Sequence, residues 1–302
     1  MKKILITLSI VFMVTGLFAQ QIPITSQYMF NDYLLNPAVG GSLDYTSFAL
    51  SVRSQWSGLE GAPETQFLGG HTKIGNKIGV GGYIFKDETG PISEQGIQLS
   101  YSYHFSVGEN SNLSFGLGGI IFNHSISTAK LKFDEPDDDA LSNIRQKAIS
   151  PDASFGILYY TKKYKVGLSI PQIFQNKIYD NYTSVNENNL VRHYLLHGEI
   201  SFEVNDKIDL VPGALVKAVS GAPMQFDINL KTIYQKKYWI GLSYRHDAAI
   251  VGMLGLTYKN IQFGYAYDFI MTDIKDYSSG THEFHLGLII GKSKPKNTSR
   301  FN

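Results

Sequence analysis

Apolar and polar side chains alternate along most of this chain. In residues 97–105 every odd position is apolar and every even position is Gln, Ser or His. A period of two is typical of a β-strand that has one face in apolar surroundings. The same alternation recurs at 164–170, 224–231, 238–244 and 261–269, and helical periodicity is hard to find in this part of the chain. The pattern therefore predicts an all-β protein.

Weaker alternation predicts further strands between these five. They fall near 45–54, 64–73, 77–86, 112–124, 152–161, 191–204, 207–219, 249–258 and 281–291. The total is about fourteen strands of about ten residues, which is the length that crosses a bilayer when a strand is tilted. We therefore expect a transmembrane antiparallel β-barrel of the outer membrane with about 14 strands, occupying residues 45–291.

The connections between these strands alternate in length. Short connections lie at 74–76, 162–163, 205–206, 235–237 and 259–260. Long connections lie at 54–63, 86–93, 125–150, 172–190 and 270–280. Outer-membrane barrels have short periplasmic turns and longer extracellular loops. The alternation therefore predicts that the short turns face the periplasm and that the long connections face the outside.

Aromatic and charged side chains fit the same barrel. The aromatic residues beside the short turns, in phase with the apolar faces, are Phe105, Tyr159, Tyr164, Tyr234, Tyr238 and Tyr258. The charged residues on the opposite phase are Glu199, Glu203, Asp209, Lys217, Asp227, Lys231, Arg245 and Asp268. Aromatic girdles lie at membrane boundaries, and charges are costly toward lipid. A soluble sandwich gives no reason for aromatic residues to gather at one end, so the membrane barrel is favoured over it.

Composition narrows the classes of function. The 302 residues allow two soluble domains or one large closed β structure. Lys and Arg number 27 against 26 Asp and Glu, so the chain lacks the basic excess of nucleic-acid-binding proteins. Cysteine is absent, which excludes disulfides, thiolate metal sites and a lipid anchor on cysteine.

The two ends of the chain differ in character from the barrel. Lys2 and Lys3 precede an apolar run at 4–18, which predicts a signal peptide over 1–19. Residues 20–44 predict an irregular N-terminal segment, either a lumen plug or a periplasmic contact, because they are rich in turn-forming pairs. Residues 292–302 form a polar C-terminal tail.

Several short motifs are spread along the predicted mature chain. They are the residues at 27–31 (QYMFN), 36–41 (NPAVGG), 53–58 (RSQWSG), 61–65 (GAPET), 167–171 (GLSIP), 221–227 (GAPMQFD), 241–245 (GLSYR) and 282–283 (HE). Together these motifs resemble the PorP/SprF family of the type IX secretion system. The residues in these motifs that we take as interaction candidates are Gln27, Tyr28, Asn31, Asn36, Pro37, Arg53, Trp56, Gly58, Pro63, Pro171, Asp227, Arg245, His282 and Glu283. One feature differs from the family pattern. The chain continues as a polar tail after residue 290, instead of ending close to an aromatic residue at the end of its last strand.

The resemblance implies a location and a role. It implies a protein of the cell outer membrane that supports export or surface attachment of cargo proteins, such as the large adhesin of gliding relatives. The implied partners are the type IX machinery in the periplasm and outer membrane, the cargo or adhesin, and outer-membrane lipid. We expect a docking barrel that is not an enzyme and carries no cofactor.

Two groups of residues are candidates for metal binding. His193, His197 and Glu199 share one face of a predicted strand, but side chains four residues apart on a strand are about 13 Å apart. A hydrogen-bond network in the lumen is therefore favoured over a metal site. The acidic run at 134–139 has carboxylates for calcium but lacks the glycine and terminal glutamate of an EF-hand, which favours a solvated loop.

Other interpretations remain open for the barrel. A passive porin or small-solute transporter has the same fold and a polar lumen, because a fold does not determine a function. A lipid-modifying enzyme needs a Ser, His and carboxylate constellation on one rim, and none is evident. The glycines at 79–82 are not followed by a helix, so close strand packing or a bend is favoured over a phosphate loop.

Overall fold

A computed structural model of the chain describes residues 25–127, 147–175, 191–220 and 222–291. The predicted signal peptide, the acidic run at 134–139 and the polar tail at 292–302 lie outside the described residues. Among the described residues, no helix is long and apolar enough to cross a membrane.

The described residues form one antiparallel sheet of β-segments. The segments are β1 (Thr46–Ser54), β2 (Glu64–Ile74), β3 (Ile78–Thr89), β4 (Ile92–Gly108), β5 (Ser111–Ile126), β6 (Lys147–Thr161), β7 (Tyr164–Ile170), β8 (His193–Ile200), β9 (Phe202–Asn205), β10 (Ile208–Val219), β11 (Gln225–Tyr234), β12 (Tyr238–Arg245), β13 (Ala249–Tyr258), β14 (Ile261–Ile270) and β15 (Thr281–Ile290). Only Ser201 separates β8 from β9, and both pair with β10, so they are two parts of one strand. The described chain therefore forms a 14-stranded barrel, as the sequence predicts.

The barrel closes between its first and last strands. β1 pairs with β15 over its full length, from Thr46 opposite Ile290 to Ser54 opposite His282. Each other strand pairs with its neighbours along the chain. In the described chain, closure gives every strand a partner strand on both sides, which is the condition for β structure in a bilayer.

The two faces of the sheet differ as lipid and lumen require. In β1, Phe48, Leu50 and Val52 are exposed on the outer face, whereas Ser51 and Arg53 are buried on the inner face. Of the six aromatic residues predicted beside the short turns, Tyr159 is partly exposed on the outer face. The other five are exposed there: Phe105, Tyr164, Tyr234, Tyr238 and Tyr258. An exposed apolar wall with aromatic residues at its boundary is the lipid-facing surface of an outer-membrane barrel.

One predicted connection is wrong. The sequence pattern predicts a long connection at 86–93, but β3 continues to Thr89 and β4 begins at Ile92. Gly90 and Pro91 alone join them, and Gly90 has the positive φ of 56° that glycine tolerates. The two strands stay paired through Lys86, Asp87 and Glu88, beyond the apolar band in which a lipid-facing strand must alternate.

The core of the barrel is formed by its own N-terminal segment. Residues 25–45, which we call the lumen segment, contain the short 3-10 turns Ser26–Met29, Asp32–Leu34 and Pro37–Val39. Tyr33 and Ala38 are at most 1% exposed among side chains of the barrel wall. The apolar residues of this segment therefore take the place that a separate hydrophobic core has in a soluble protein.

Candidate functional site

The lumen segment runs along the barrel from one end to the other. Ser26 contacts Asp268 and Glu283, which lie near the strand ends that carry the long connections. Asp32 contacts Lys165, the second residue of β7, next to a short turn. We call these the loop end and the turn end of the lumen. The chain therefore descends from the loop end to the turn end before β1 begins.

Six charged side chains meet at the loop end of the lumen. This loop-end cluster consists of Arg53, Lys217, Asp227, Arg245, Asp268 and Glu283. Arg53 reaches Asp268 at 2.8 Å and Glu283 at 3.1 Å, and Arg245 reaches Asp268 at 3.2 Å. Asp268 and Glu283 are 2% and 0% exposed. The three cations and three carboxylates neutralise one another within the barrel wall.

The lumen segment enters this cluster through an uncharged residue. The backbone N–H of Ser26 donates to Glu283 Oε2 at 2.6 Å, and its hydroxyl donates to Asp268 Oδ1 at 3.0 Å. Arg53 also donates to the Ser26 hydroxyl. Hydrogen bonds to ionised groups are stronger than those between neutral groups. The start of the lumen segment is therefore held by charge-assisted hydrogen bonds rather than by an ion pair.

A second cluster, at the turn end, consists of Asp32, Lys165, Glu199 and Lys231. Lys165 Nζ lies 2.7 Å from Asp32 Oδ2 and 3.0 Å from Glu199 Oε1. Lys231 Nζ lies 3.7 Å from Glu199 and donates to the carbonyl oxygen of Met29 at 3.0 Å. Burial raises the pKa of Asp32, but Lys165 and then His197 outweigh this effect and hold the pKa below its ordinary value. This cluster is neutral only when the lumen segment supplies Asp32.

Glycines of the barrel wall make room for the middle of the lumen segment. A Cβ on Gly79 would lie 2.0 Å from the carbonyl oxygen of Gly40, and one on Gly156 would lie 1.9 Å from Asn36 Oδ1. Gly116 faces the backbone of Ala38 in the same way, at 2.3 Å. These glycines therefore form a groove across the inner wall. The structure places Gly79 against the lumen segment, whereas the sequence favoured close strand packing.

Asn36 occupies the centre of this groove. Its side-chain amide donates to the carbonyl oxygen of Ile157 at 3.0 Å, and its oxygen accepts from the backbone N–H of Ala38 at 2.9 Å. His197 Nε2 lies 3.3 Å from the same amide nitrogen. His193 Nδ1 instead lies 2.8 Å from the carbonyl oxygen of Val191. The predicted His and Glu set is therefore divided among separate partners, and the described residues contain no group that would hold a metal ion.

The structure separates the interaction candidates into groups. Arg53, Asp227, Arg245 and Glu283 meet in the loop-end cluster. Gln27, Tyr28, Asn31, Asn36 and Pro37 lie in the lumen segment. Trp56, Gly58 and Pro63 lie in the β1–β2 connection, and Pro171 directly follows β7. His282 points to the outer face, where its Nδ1 lies 2.7 Å from the hydroxyl of Tyr265.

Sequence reasoning missed Ser26, Asp32 and Lys165. Lys165 lies on the inner phase of β7, so the alternation contained a signal for its position. Asp32 and Ser26 lie outside any periodic element, and no local pattern indicates their partners. Their contacts reach Lys165 and Glu283, far away in the sequence.

A cavity opens at the turn end. Its volume is about 180 Å³, and residues of the lumen segment line it together with the barrel wall. Asp32, Lys165, Glu199 and Lys231 contribute to the lining, as do Tyr160 and Lys162 near the rim. The turn-end cluster is therefore reachable from this mouth of the barrel.

Comparison with known proteins agrees with this architecture. A FadL homologue from Pseudomonas aeruginosa is 13% identical with a TM-score of 0.51, over 89% of this chain and 94% of that chain. The CymD monoaromatic hydrocarbon channel is 13% identical with a TM-score of 0.52, over 92% of this chain and 95% of that chain. At this identity the likeness establishes the barrel fold alone.

Family comparison is more specific. No curated protein is significantly similar to this chain. The model of the type IX secretion system membrane proteins PorP/SprF matches residues 17–288, nearly the whole chain. With its lipid-facing wall and closed sheet, the chain is an outer-membrane β-barrel that belongs to the PorP/SprF family of the type IX secretion system.

Proposed function

We propose that this barrel serves type IX secretion as a docking element that supports export or surface attachment of a cargo protein. The observation that supports this role is the lumen segment, which occupies the barrel and is tied to its wall at both ends. Because the lumen segment occupies the lumen, the two rims are the surfaces available for binding partners. Cargo such as a large adhesin would bind at the loop end, and the secretion machinery would bind at the turn end.

This role depends on which end faces the outside. We infer that the loop end is extracellular because outer-membrane barrels place their longer connections there. Single cysteines at Asp247 and Asn76, both exposed, provide the test in a chain without native cysteine. In intact cells an impermeant maleimide should label the variant D247C and not N76C. Labelling of N76C alone would invert the topology.

The decisive experiment is deletion of the gene, followed by mass spectrometry of the cell surface and the culture medium. Loss of one large surface protein, or its release into the medium, would mark a dedicated attachment partner. Broad loss of exported proteins would mark a core component of secretion. An unchanged surface and medium would contradict the secretion role.

The second candidate is a passive porin or small-solute transporter. Its support is the fold shared with a solved hydrocarbon channel. Purified protein in planar bilayers separates the two functions. A docking barrel should be silent while the lumen segment is in place, whereas a steady large conductance would support the pore. The same preparation tests our inference that the barrel is not an enzyme, which lipase activity would contradict.

A further inference from the structure

The turn-end rim carries a one-sided excess of positive charge. Four consecutive turns around the barrel lie between β6 and β7, β9 and β10, β11 and β12, and β13 and β14. Their charged residues are Lys162, Lys163, Asp206, Lys207, Lys236, Lys237 and Lys259, all exposed. We call the six lysines the lysine crescent. Among the ion pairs between described residues, none includes a crescent lysine.

The rest of the turn-end rim, as far as the structure describes it, does not share this charge. The other two short turns, β2–β3 and β4–β5, contribute Lys77 and Glu109, which cancel. Even with Glu203 and Asp209 at the adjoining strand ends, the crescent side keeps three more positive than negative charges.

The loop-end rim has the opposite sign. Outside the loop-end cluster, the exposed and half-exposed charges of this rim in the described residues are Glu60, Glu64, Lys86, Asp87, Glu88, Glu94, Arg192, Asp247, Asp273, Lys275 and Asp276. Eight of these eleven are acidic, although the whole chain has a net charge of only +1. The described parts of the two rims therefore present different electrostatic surfaces, and complementary charge is what selects and orients a partner.

We propose that the lysine crescent binds an acidic segment of a periplasmic protein. Lipid surrounds the whole circumference of a barrel, whereas the crescent covers one side of it. Lys162 also lines the cavity at the mouth, beside Tyr160 and Lys165. This cavity lies inside the barrel wall, whereas lipid surrounds the wall from outside. A peptide lying along the crescent would place one acidic side chain at this cavity and others on the neighbouring turns. This inference rests on the docking role proposed above and names the chemistry of one partner.

The test compares variants that remove equal charge. The full-length barrel in phosphatidylcholine nanodiscs is titrated with a fluorescent oligoglutamate peptide. The crescent variants K162Q/K163Q and K236Q/K237Q should each bind about fivefold to tenfold more weakly than the wild type, as expected for two exposed ion pairs. The control K77Q/K275Q removes two lysines outside the crescent and should bind as the wild type does. Equal weakening by the control, or no binding by the wild type, would overturn the proposal.

Two further measurements separate the alternatives. The first is acylation of the crescent lysines in discs with and without phosphatidylglycerol. If only phosphatidylglycerol protects these lysines, and oligoglutamate does not bind in phosphatidylcholine discs, anionic lipid is the partner and the proposal is wrong. The second is complementation of the deletion in cells. A gene that combines K162Q/K163Q with K236Q/K237Q should fail to restore the exported proteins that deletion removes, whereas a gene with K77Q/K275Q should restore them. Restoration by both genes overturns the crescent proposal alone, whereas a deletion without effect overturns the docking role.

Discussion

The two ends of the lumen hold the same segment by different means. At the loop end the barrel wall supplies three cations and three carboxylates, and the segment adds only the neutral Ser26. At the turn end the wall supplies Lys165, Lys231 and Glu199, and the segment adds the carboxylate of Asp32. The loop-end cluster is therefore neutral without the lumen segment, whereas the turn-end cluster is neutral only with it.

This difference separates stability of the barrel from retention of the segment. Breaking a buried ion pair by removing one partner leaves an uncompensated charge and is strongly destabilising. Removal of the lumen segment leaves the loop-end pairs intact but leaves an extra positive charge at the turn end. We therefore expect the loop-end cluster to stabilise the barrel itself and Asp32 to keep the segment in place.

The largest effect is expected for Arg53→Met. This change leaves Asp268 and Glu283 buried with one cation too few, and it should lower the free energy of unfolding by about 3–5 kcal/mol. Urea unfolding of the purified barrel in detergent measures the loss. Arg53→Lys keeps the charge and should recover part of it. Wild-type stability in the methionine variant would show that the loop-end cluster is not structural.

The next effect is expected for Asp32→Asn. The substitution leaves the turn-end cluster with an excess positive charge and should cost about 2–3 kcal/mol, because the side chains of Lys165 and Asp32 are still 16% and 17% exposed, which reduces the penalty. Val39→Cys, at a position only 2% exposed, reports release of the segment through maleimide labelling. Labelling should be faster with Asp32→Asn than with Ser26→Ala. Equal rates in the two variants would remove the distinction between the ends.

A steric change sharpens the comparison without altering charge. Gly79→Ala would place a methyl group on the backbone of Gly40 and should weaken packing of the segment by about 1–3 kcal/mol. Gly119→Ala is the matched control, because a Cβ at Gly119 meets no atom within 4 Å. Faster labelling of Val39→Cys in the Gly79 variant alone is the expected result. Equal labelling in both variants would show that the glycine groove does not hold the segment.

The smallest effect is expected from pH. The folded pKa of Asp32 lies below its ordinary value of about 3.9, so its contribution is present above that value and is lost as pH falls through the folded pKa. Labelling of Val39→Cys should therefore be constant between pH 8 and pH 5, after correction for the reactivity of the thiol, and should rise only below about pH 4. A rise near pH 6 would assign control of the segment to a histidine.

The barrel could be predicted from sequence because lipid imposes a period of two on every strand. The strand count and the lipid-facing phase follow directly from it, and the inner phase correctly contains Asp227, Arg245 and Asp268. Alternation no longer marks a strand beyond the edge of the lipid. Lys86, Asp87 and Glu88 break the alternation beyond the bilayer, so a hairpin was predicted as a long connection.

The site was less predictable because its contacts are not local. Phase shows that Arg53 and Glu283 both face the lumen, but not that the closing pair of strands makes them neighbours. The partners of the lumen segment are even harder to predict, because its short turns have no repeating pattern of apolar and polar residues. The inward glycines did carry a signal, because a strand that lacks a side chain leaves space for other backbone.

The bond between Ser26 and Glu283 also constrains the order of events in folding. These residues are 257 positions apart, and β15 is the last strand of the barrel. Contacts at such separation carry a high entropic cost of chain closure and form late. The loop-end attachment of the segment therefore exists only once β15 has joined β1. Attachment of the segment at the loop end thus indicates a completed barrel. A chain that is truncated, or that stops folding before β15 pairs with β1, lacks this attachment.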